Sequence, residues 1–587
     1  MAPIGQLPPM KVQQQQQPND KSSNYFVDFS IRGAMEVLKT AVSVYDIVTY
    51  PAYFVIQKPW IERRKIEAVR AVQEDPNDPY SSWVRVGTPP PCLADDCETI
   101  DDVLRASIKM YGDQRCMGVR EVLKEEREEQ PDGKVFIKKI LAPQYQWFTY
   151  KQVDARIDDV SRGLLFHGIK PGDRVIIFME TRMEWMLTAQ GLYRLGATLA
   201  TLYATLGDEG IIHVVNEIEA SHIITSSDLL PKLKKLKPQL TTLKTVIYVE
   251  DHLEVKDKAE HGMEEVGLEL VRFVDLEKDG ATHRELKGRK SKGNDVALIM
   301  YTSGSTGAPK GVVAWHSNFV AAIKSFNTII SLIPHEGEVY IGYLPLAHNL
   351  EFTTEHLLLS MGVPVGYSSP FTLTDVSPAI KAGGKGDINI LKPGALAGVP
   401  LIMDRLRKGI TEKVNSRGKF FNALFKFALS YKNYWTEKGF DTPIINKIFC
   451  SKINSSLGGK LRVVFSGGAP LSPDTHLFAR ACLNVRLMQG FGATETTAIT
   501  SLMDPYDLSV GRTGAPLYGC KVRLVDWEEG GYRPTDKPNP RGEIVVGGPS
   551  IAAGYFKKEK ETDEVFREEN GVRWFYTGDI GEFFPDG

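Results

Sequence analysis

The amino-acid sequence predicts an α/β chain of parallel sheets wrapped by helices, followed by a smaller antiparallel or barrel-like subdomain. Three observations carry that expectation. Short apolar runs of strand length, at 174–179, 222–225, 245–249, 296–300 and 462–465, alternate with helical or loop segments such as 184–195, and such alternation builds parallel sheets that bind ligands at the carboxyl ends of their strands. Two of the runs end in turns rich in glycine and hydroxyl groups. Toward the carboxyl end, 521–525 and 543–546 read as strands in a Gly/Pro-rich setting, which suits an antiparallel or barrel-like unit.

From the amino end, residues 1–33 read as a disordered polar tail with five consecutive glutamines at 13–17. Residues 34–77 read as a membrane-associating anchor with a basic flank. Its first part, 34–56, is largely apolar but carries Glu36, Lys39, Asp46 and the breaker Pro51, and so lacks the roughly twenty uninterrupted apolar residues that a spanning helix needs. An interfacial or hairpin-like anchor fits better, because Trp60 with Lys58, Arg63, Arg64 and Lys65 suits an anionic cytosolic leaflet. The rest, 78–587, reads as one catalytic region, with the charge runs at 121–129 and 232–237 expected on solvated helix faces.

Composition narrows the chemistry. With 587 residues, 42% hydrophobic and 25% charged, the chain can bury the cores of several subdomains. Its 71 basic against 73 acidic residues give no electrostatic footprint for nucleic acid. The six cysteines, Cys92, Cys97, Cys116, Cys450, Cys482 and Cys520, form no ligand cluster and are too sparse for a disulfide scaffold, which points to a cytosol-facing compartment. Neither a G-x-S-x-G elbow nor an H-E-x-x-H pair is present.

The richest segment follows the run 296–300. Thr302, Ser303, Ser305 and Thr306 offer hydroxyls, Gly304, Gly307 and Gly311 let the backbone approach an anion closely, and Lys310 adds a mobile positive charge. This is the chemistry of a polyphosphate loop. It is not a Walker A element, because Lys310 is followed by Gly311 rather than Ser or Thr and the glycine spacing is shorter. A second turn, Ser466, Gly467, Gly468, Ala469 and Pro470, closes a buried strand and offers flat backbone to a planar base. A third runs through Gln489, Gly490, Phe491, Gly492, Ala493, Thr494 and Glu495, placing an aromatic ring, a hydroxyl and a carboxylate together; a fourth, 576–581, contains Asp579.

These four elements, in this order, resemble the signature of the adenylate-forming superfamily. Further phrases at 201–207, 343–348, 384–387 and 536–543 resemble its long-chain acyl-CoA synthetases, in particular the animal type that favours polyunsaturated chains such as arachidonate, over roughly 78–587. The resemblance implies a large domain of two doubly wound α/β subdomains plus a small β-barrel subdomain. It implies a long-chain fatty acid, ATP and CoA as substrates and Mg²⁺ as the metal, with Lys310, Thr494 and Glu495 catalytic. Glu495 would hold the metal, Phe491 would stack on adenine, Asp579 would accept from the ribose hydroxyls, and His348 would line the fatty-acid entrance. Asn349, Phe352 and Ala493 depart from the usual pattern near that entrance. Family members associate with membranes through their amino termini, which implies the cytosolic face of the endoplasmic reticulum, with the mitochondrial outer membrane, peroxisome or lipid droplet as alternatives. The resemblance also implies a small carboxyl-terminal cap domain that is expected to be missing from this chain, so a truncated, non-catalytic binder of ATP or fatty acid is the alternative reading.

Overall fold

The computed structural model describes residues 21–129, 135–250, 263–302 and 309–587. Most of the 1–33 tail, its glutamine tract included, lies outside the described residues, and a helix, Lys21–Gln57, already begins inside that span.

Two large sheets and one smaller sheet form the body. The first has eight strands in the order Glu269–Arg272, Thr245–Val249, His222–Ser226, Arg174–Phe178, Thr198–Leu202, Val296–Thr302, Lys310–Trp315 and Gly554–Tyr555. It is parallel up to Val296–Thr302, then turns antiparallel across the hairpin to Lys310–Trp315 and again to Gly554–Tyr555. The second has nine strands, with Arg486–Phe491, Val463–Ser466, Ala395–Ala397, Tyr340–Gly342, Val365–Tyr367 and Arg115–Val119 running parallel through its centre. Strands buried on both faces read as continuous apolar runs, which is why all five sequence runs emerge as strands within a residue or two of their predicted ends. The predicted helix is Met183–Leu195, buried on nearly every side. The third sheet is antiparallel throughout, with Lys521–Val525, Arg541–Gly547 and Val572–Glu582 as its centre; its outermost strands, Ala71–Gln73 and Phe566–Glu569, do not pair with each other.

Two local expectations fail. The acidic run is not a helix face but a strand, Val122–Glu129, paired with Val135–Leu141. Register sets Glu125 opposite Lys139 and Glu126 opposite Lys138, so cross-strand charge pairing stabilises the ribbon. Pro51 does not break the Lys21–Gln57 helix, which continues through it for six more residues; the ring costs one backbone hydrogen bond there, and packing against the body offsets it. The break falls instead at Lys58, which adopts φ 50° before the short helix Pro59–Ile66. The Leu230–Leu236 helix does present its lysines outward as expected.

Beneath the carboxyl ends of the second sheet runs the Asn349–Ser360 helix, buried along its length although it carries Glu351, Thr353, Thr354, Glu355 and His356. Tyr340 donates its hydroxyl to Glu351 Oε2 at 2.7 Å and Tyr367 donates to Glu355 Oε2 at 2.9 Å. The remaining oxygens, Oε1 of each glutamate, have no other donor among the described residues. Burial raises both acids, and the charge of Glu355 raises Glu351 further, so the pair keeps a proton that free carboxylates would release. His356 is held neutral by burial, with Nδ1 donating to Phe352 O at 2.7 Å.

A retained proton has a thermodynamic signature. Above pH ~4.3 the unfolded chain has released it while the folded pair holds it, so unfolding sheds a proton and stability falls as pH rises toward the raised folded value. Glu355→Gln should flatten that decline by up to about 1.4 kcal/mol per pH unit. Denaturant midpoints measured between pH 5 and 8 check it; equal slopes in both proteins would show that the pair holds no extra proton.

Candidate active site

Lys310, Thr494 and Glu495, three of the residues singled out in the sequence, lie where the Lys310–Trp315 strand of the first sheet meets the turn after strand Arg486–Phe491 of the second. Thr302 ends one strand and pairs with Lys310, which begins the next. Ser303, Gly304, Ser305, Thr306 and Gly307, the loop joining them, lie outside the described residues. Lys310 is half-buried, and its ammonium stands 5.1 Å from the centre of the Tyr555 ring, a distance at which the ring's negative face attracts a cation.

Tyr555 is the residue that sequence reasoning missed. Its strand, Gly554–Tyr555, pairs with Val312 and Val313 at the edge of the first sheet. Its hydroxyl donates to Glu495 Oε1 at 2.7 Å. Glu495 comes from the second sheet, in the one-turn helix Thr494–Thr496 after strand Arg486–Phe491. Its backbone carbonyl accepts from Ala552 N–H at 2.8 Å, a second tie between the same segments. Thr494 is held in turn by Asn349, whose Nδ2 donates to Thr494 O at 3.1 Å. Lysine, tyrosine, glutamate and threonine thus form one continuous set of contacts across two sheets. Nothing in the sequence motif around Tyr555 signals this, since the contact spans 60 residues.

The two glycine turns sit side by side, because strand Val463–Ser466 pairs with Arg486–Phe491 and brings Ser466 opposite Gln489. Gly467 is buried, whereas Gly468, at φ 79°, and Ala469 are exposed. Gly490 pairs with Leu502. Gly492 is obligatory, since a Cβ there would lie 1.8 Å from Ala498 O. Just beyond the turn, Thr497 and Ala498 adopt φ of 52° and 94°, strained conformations that persist only where surrounding structure enforces them. Ser466 Oγ, Gln489 Oε1, Thr497 Oγ1 and Thr500 Oγ1 are buried without partners among the described residues; orphaned polar atoms at a strand end suit a bound polar ligand. Phe491 is half-buried and packs against the small core of Val312, Ile551 and Phe575.

Asp579 lies on the third sheet, exposed, at an irregularity in the pairing of Arg541–Gly547 with Val572–Glu582. Gly578 there takes φ 73° and donates its N–H to Glu543 Oε1 at 3.0 Å, while Thr577 Oγ1 accepts from Asp579 N–H at 3.0 Å. His348 is exposed and caps the Asn349–Ser360 helix, its Nδ1 accepting from Leu350 N–H at 3.1 Å. Phe352, one turn along, is buried against Phe319, at 5.1 Å between ring centres, and His356, at 4.3 Å.

Comparison with known proteins places this geometry. The model of the AMP-binding enzyme family matches residues 123–556, and the chain belongs to that family. Long chain acyl-CoA synthetase 8 of Arabidopsis thaliana is 40% identical over 497 residues, covering 83% of this chain and 68% of the relative. Long-chain-fatty-acid–CoA ligase 1 of Schizosaccharomyces pombe is 34% identical over 518 residues, covering 84% of this chain and 73% of the relative. Among solved structures, the adenylation domain of a carboxylate reductase from Mycobacterium chelonae superposes with a TM-score of 0.64 at 20% identity, over 83% of this chain and 70% of that one. That likeness bears on the fold alone, and it agrees with the two parallel-centred sheets and the antiparallel third.

Two variants probe the seam. Tyr555→Phe removes one hydrogen bond to a carboxylate, worth about 1.5–3 kcal/mol; it should lower the denaturant midpoint measurably and turnover roughly tenfold or more, and unaltered kinetics would disconnect Tyr555 from the site. Gly492→Ala forces a backbone clash and should destabilise the chain by about 1–3 kcal/mol, read from its denaturant midpoint.

Proposed function

We infer that this chain activates a long-chain fatty acid with ATP, giving an acyl-adenylate and pyrophosphate, and then transfers the acyl group to CoA with release of AMP. The observation that carries the reading is the contact set Lys310–Tyr555–Glu495, an ammonium and a carboxylate held to one tyrosine. The relatives, named as long-chain acyl-CoA synthetases and ligases, supply the substrate class.

The chemistry asks for positioning and charge. Attack of a carboxylate on the α-phosphate crowds negative charge in the transition state, so the useful groups are a cation, hydroxyl and backbone donors, and a carboxylate for a metal. Lys310 supplies the cation. Thr302 and Thr494 stand at the two edges from which hydroxyls can reach a phosphate or the acyl carboxylate, and the loop Ser303, Gly304, Ser305, Thr306 and Gly307 is assigned to the polyphosphate. Gly467, Gly468 and Ala469, with Gln489, Gly490, Phe491 and Gly492, are assigned to the adenine side, and Asp579 to the ribose hydroxyls. No cluster of three metal-ligating side chains occurs among the described residues. Glu495 alone fits Mg²⁺, which typically takes one or two carboxylates and completes its shell with phosphate oxygens and water. When bound, the metal would neutralise phosphate charge. The non-catalytic alternative is disfavoured, since a mere binder has no need of a tyrosine fixing a carboxylate beside a half-buried lysine.

Finer assignments extend this reading. A preference for polyunsaturated chains such as arachidonate rests on sequence phrases, and His348 at the head of the buried helix is assigned to the acyl entrance. The Lys21–Gln57 helix is assigned to the cytosolic face of a membrane, that of the endoplasmic reticulum. Val37, Val44, Ile47, Val48 and Val55 make an exposed apolar stripe along it, although no helix among the described residues is long and apolar enough to cross a bilayer.

Incubating the protein with ATP, Mg²⁺, CoA and either arachidonate or palmitate, and separating acyl-AMP from acyl-CoA by mass, tests the assignment. Lys310→Ala should depress product formation by about 10²-fold or more, and Asp579→Ala should chiefly raise KM for ATP. Wild-type turnover in Lys310→Ala would sink the site, and a higher kcat/KM for palmitate than for arachidonate would remove the polyunsaturated preference.

A further inference from the structure

Residues 400–460 form a helical lobe between two strands of the second sheet, built from Pro400–Asn415, Lys419–Glu437 and a run of short turns ending at Ser455–Leu457. Its charge is unlike that of the rest of the chain. The lobe holds twelve Lys and Arg against four Asp and Glu, whereas the whole protein carries a net −2. Of these cations only Lys432 is buried, bound to Asn446 and to Asn484. Lys426, Lys447 and Lys452 are exposed and, among the described residues, have no carboxylate partner. Structural ion pairing therefore does not account for them.

The same lobe exposes apolar side chains that its interior does not use. Phe425, Ala428, Leu429 and Cys450 are buried against the body, while Leu401, Phe420, Tyr434, Ile444 and Ile448 remain open to solvent. Ile444, Lys447 and Ile448 are near neighbours in one helical stretch, so apolar and basic groups alternate on a single surface. Acidic substrates would call for the cations alone, and a soluble protein partner for the apolar groups with fewer lysines. The mixture matches a bilayer interface, where apolar side chains enter below the headgroups and lysines meet anionic lipid above.

Position supports that occupant. The amino-terminal helix docks on this lobe: Tyr50 lies 6.2 Å from Trp435 and 5.6 Å from Phe440 between ring centres, Tyr431 donates to Asp46, and the Gln57 amide exchanges hydrogen bonds of 2.7 and 3.3 Å with the Asp441 backbone. An aromatic groove of about 200 Å³ lies along the joint, lined by Tyr45, Tyr53 and Tyr431 among others. Tyr45, Asp46, Thr49 and Tyr53 thus face the lobe, while the stripe through Val44, Ile47, Val48 and Val55 faces away from it.

We propose that the outer face of the 400–460 lobe is a second membrane-docking surface, selective for bilayers that carry anionic lipid, with Lys426, Lys447 and Lys452 supplying charge and Ile448 supplying insertion, Ile444 lying at its border with the groove along the amino-terminal helix. The idea rests on the interfacial reading of the amino-terminal helix only for the adjacency of the two surfaces. Two points of attachment would hold the body in one orientation on the bilayer, which a single helix cannot do.

Flotation of the full chain with vesicles of phosphatidylcholine alone, and of phosphatidylcholine with phosphatidylserine, tests it, using two variants and a milder lysine control. One carries Lys426→Glu, Lys447→Glu and Lys452→Glu; the other carries Val44→Ser, Ile47→Ser and Val48→Ser in the amino-terminal helix. The wild type should bind the phosphatidylserine vesicles more tightly, and that preference should fall at least tenfold in the lysine variant, with its melting temperature and adenylation rate unchanged. Lys→Gln at the same three positions should give an intermediate loss, which separates charge from misfolding. The helix variant should lose binding to both kinds of vesicle. Undiminished phosphatidylserine preference in both lysine variants would overturn the lobe proposal while leaving the helix reading intact; full binding by the helix variant would overturn the helix reading instead.

Discussion

A strand of two residues governs the site. Gly554–Tyr555 adds itself to the edge of the first sheet beside Val312 and Val313, and in doing so carries one hydroxyl to Glu495 and one aromatic face to Lys310. Each partner belongs to a different part of the chain, and none would be fixed by its own loop. Lys310 stands at the first position of its strand; Glu495 sits on a single helical turn followed by two residues at positive φ. Such turns are adaptable unless something outside them sets their position. Tyr555 does so for both at once, and the pair Ala552 N–H to Glu495 O keeps the two backbones from sliding.

The support under the site is polar where a core is normally apolar. The Asn349–Ser360 helix brings two buried glutamates, each hydrogen-bonded to a tyrosine from an adjacent strand of the second sheet. Replacing such a pair with leucine would cost little area and often gains stability. What the acids contribute is direction: each Tyr–Glu bond can form in only one register of helix against sheet. The head of the helix is therefore fixed where Asn349 holds Thr494 and His348 faces solvent. The buried acids and the Asn349–Thr494 contact thus share one helix of 12 residues.

Charge is distributed unevenly for a protein whose basic and acidic residues nearly cancel. The cations gathered on the 400–460 lobe are matched by acidic excess elsewhere, part of it in structural roles. Arg194, nearly buried, is surrounded by Asp101, Asp154 and Asp158 at 2.8–3.0 Å, and so binds three helices together. The lobe has no such arrangement, and its lysines other than Lys432 are exposed. Net charge thus conceals two different uses of charged side chains, one of them internal and compensated, the other external and available to a partner.

Sequence alone determined the elements whose signal is local. Apolar runs such as 245–249 are strands because five consecutive buried side chains leave no other reading, and the turns at Gly468 and Gly492 are fixed by residues that need backbone freedom or close approach. The family signature was equally local; of the residues it named, Lys310 and Glu495 both contact Tyr555 and Thr494 adjoins Glu495, whereas Asp579 lies on the third sheet. What only the tertiary structure decided depended on partners far away in the chain. The 121–129 run became a strand because Lys138 and Lys139 lie opposite it. Pro51 stayed inside a helix because the lobe packs along that helix, and Phe491 turned toward a core that includes Ile551 and Phe575. Tyr555, an unremarked residue in a Gly-Tyr pair, gained its role from a carboxylate 60 positions earlier. Periodicity and turn chemistry act over a few residues, whereas pairing and desolvation act through space, and the second kind of information is absent until the chain has folded.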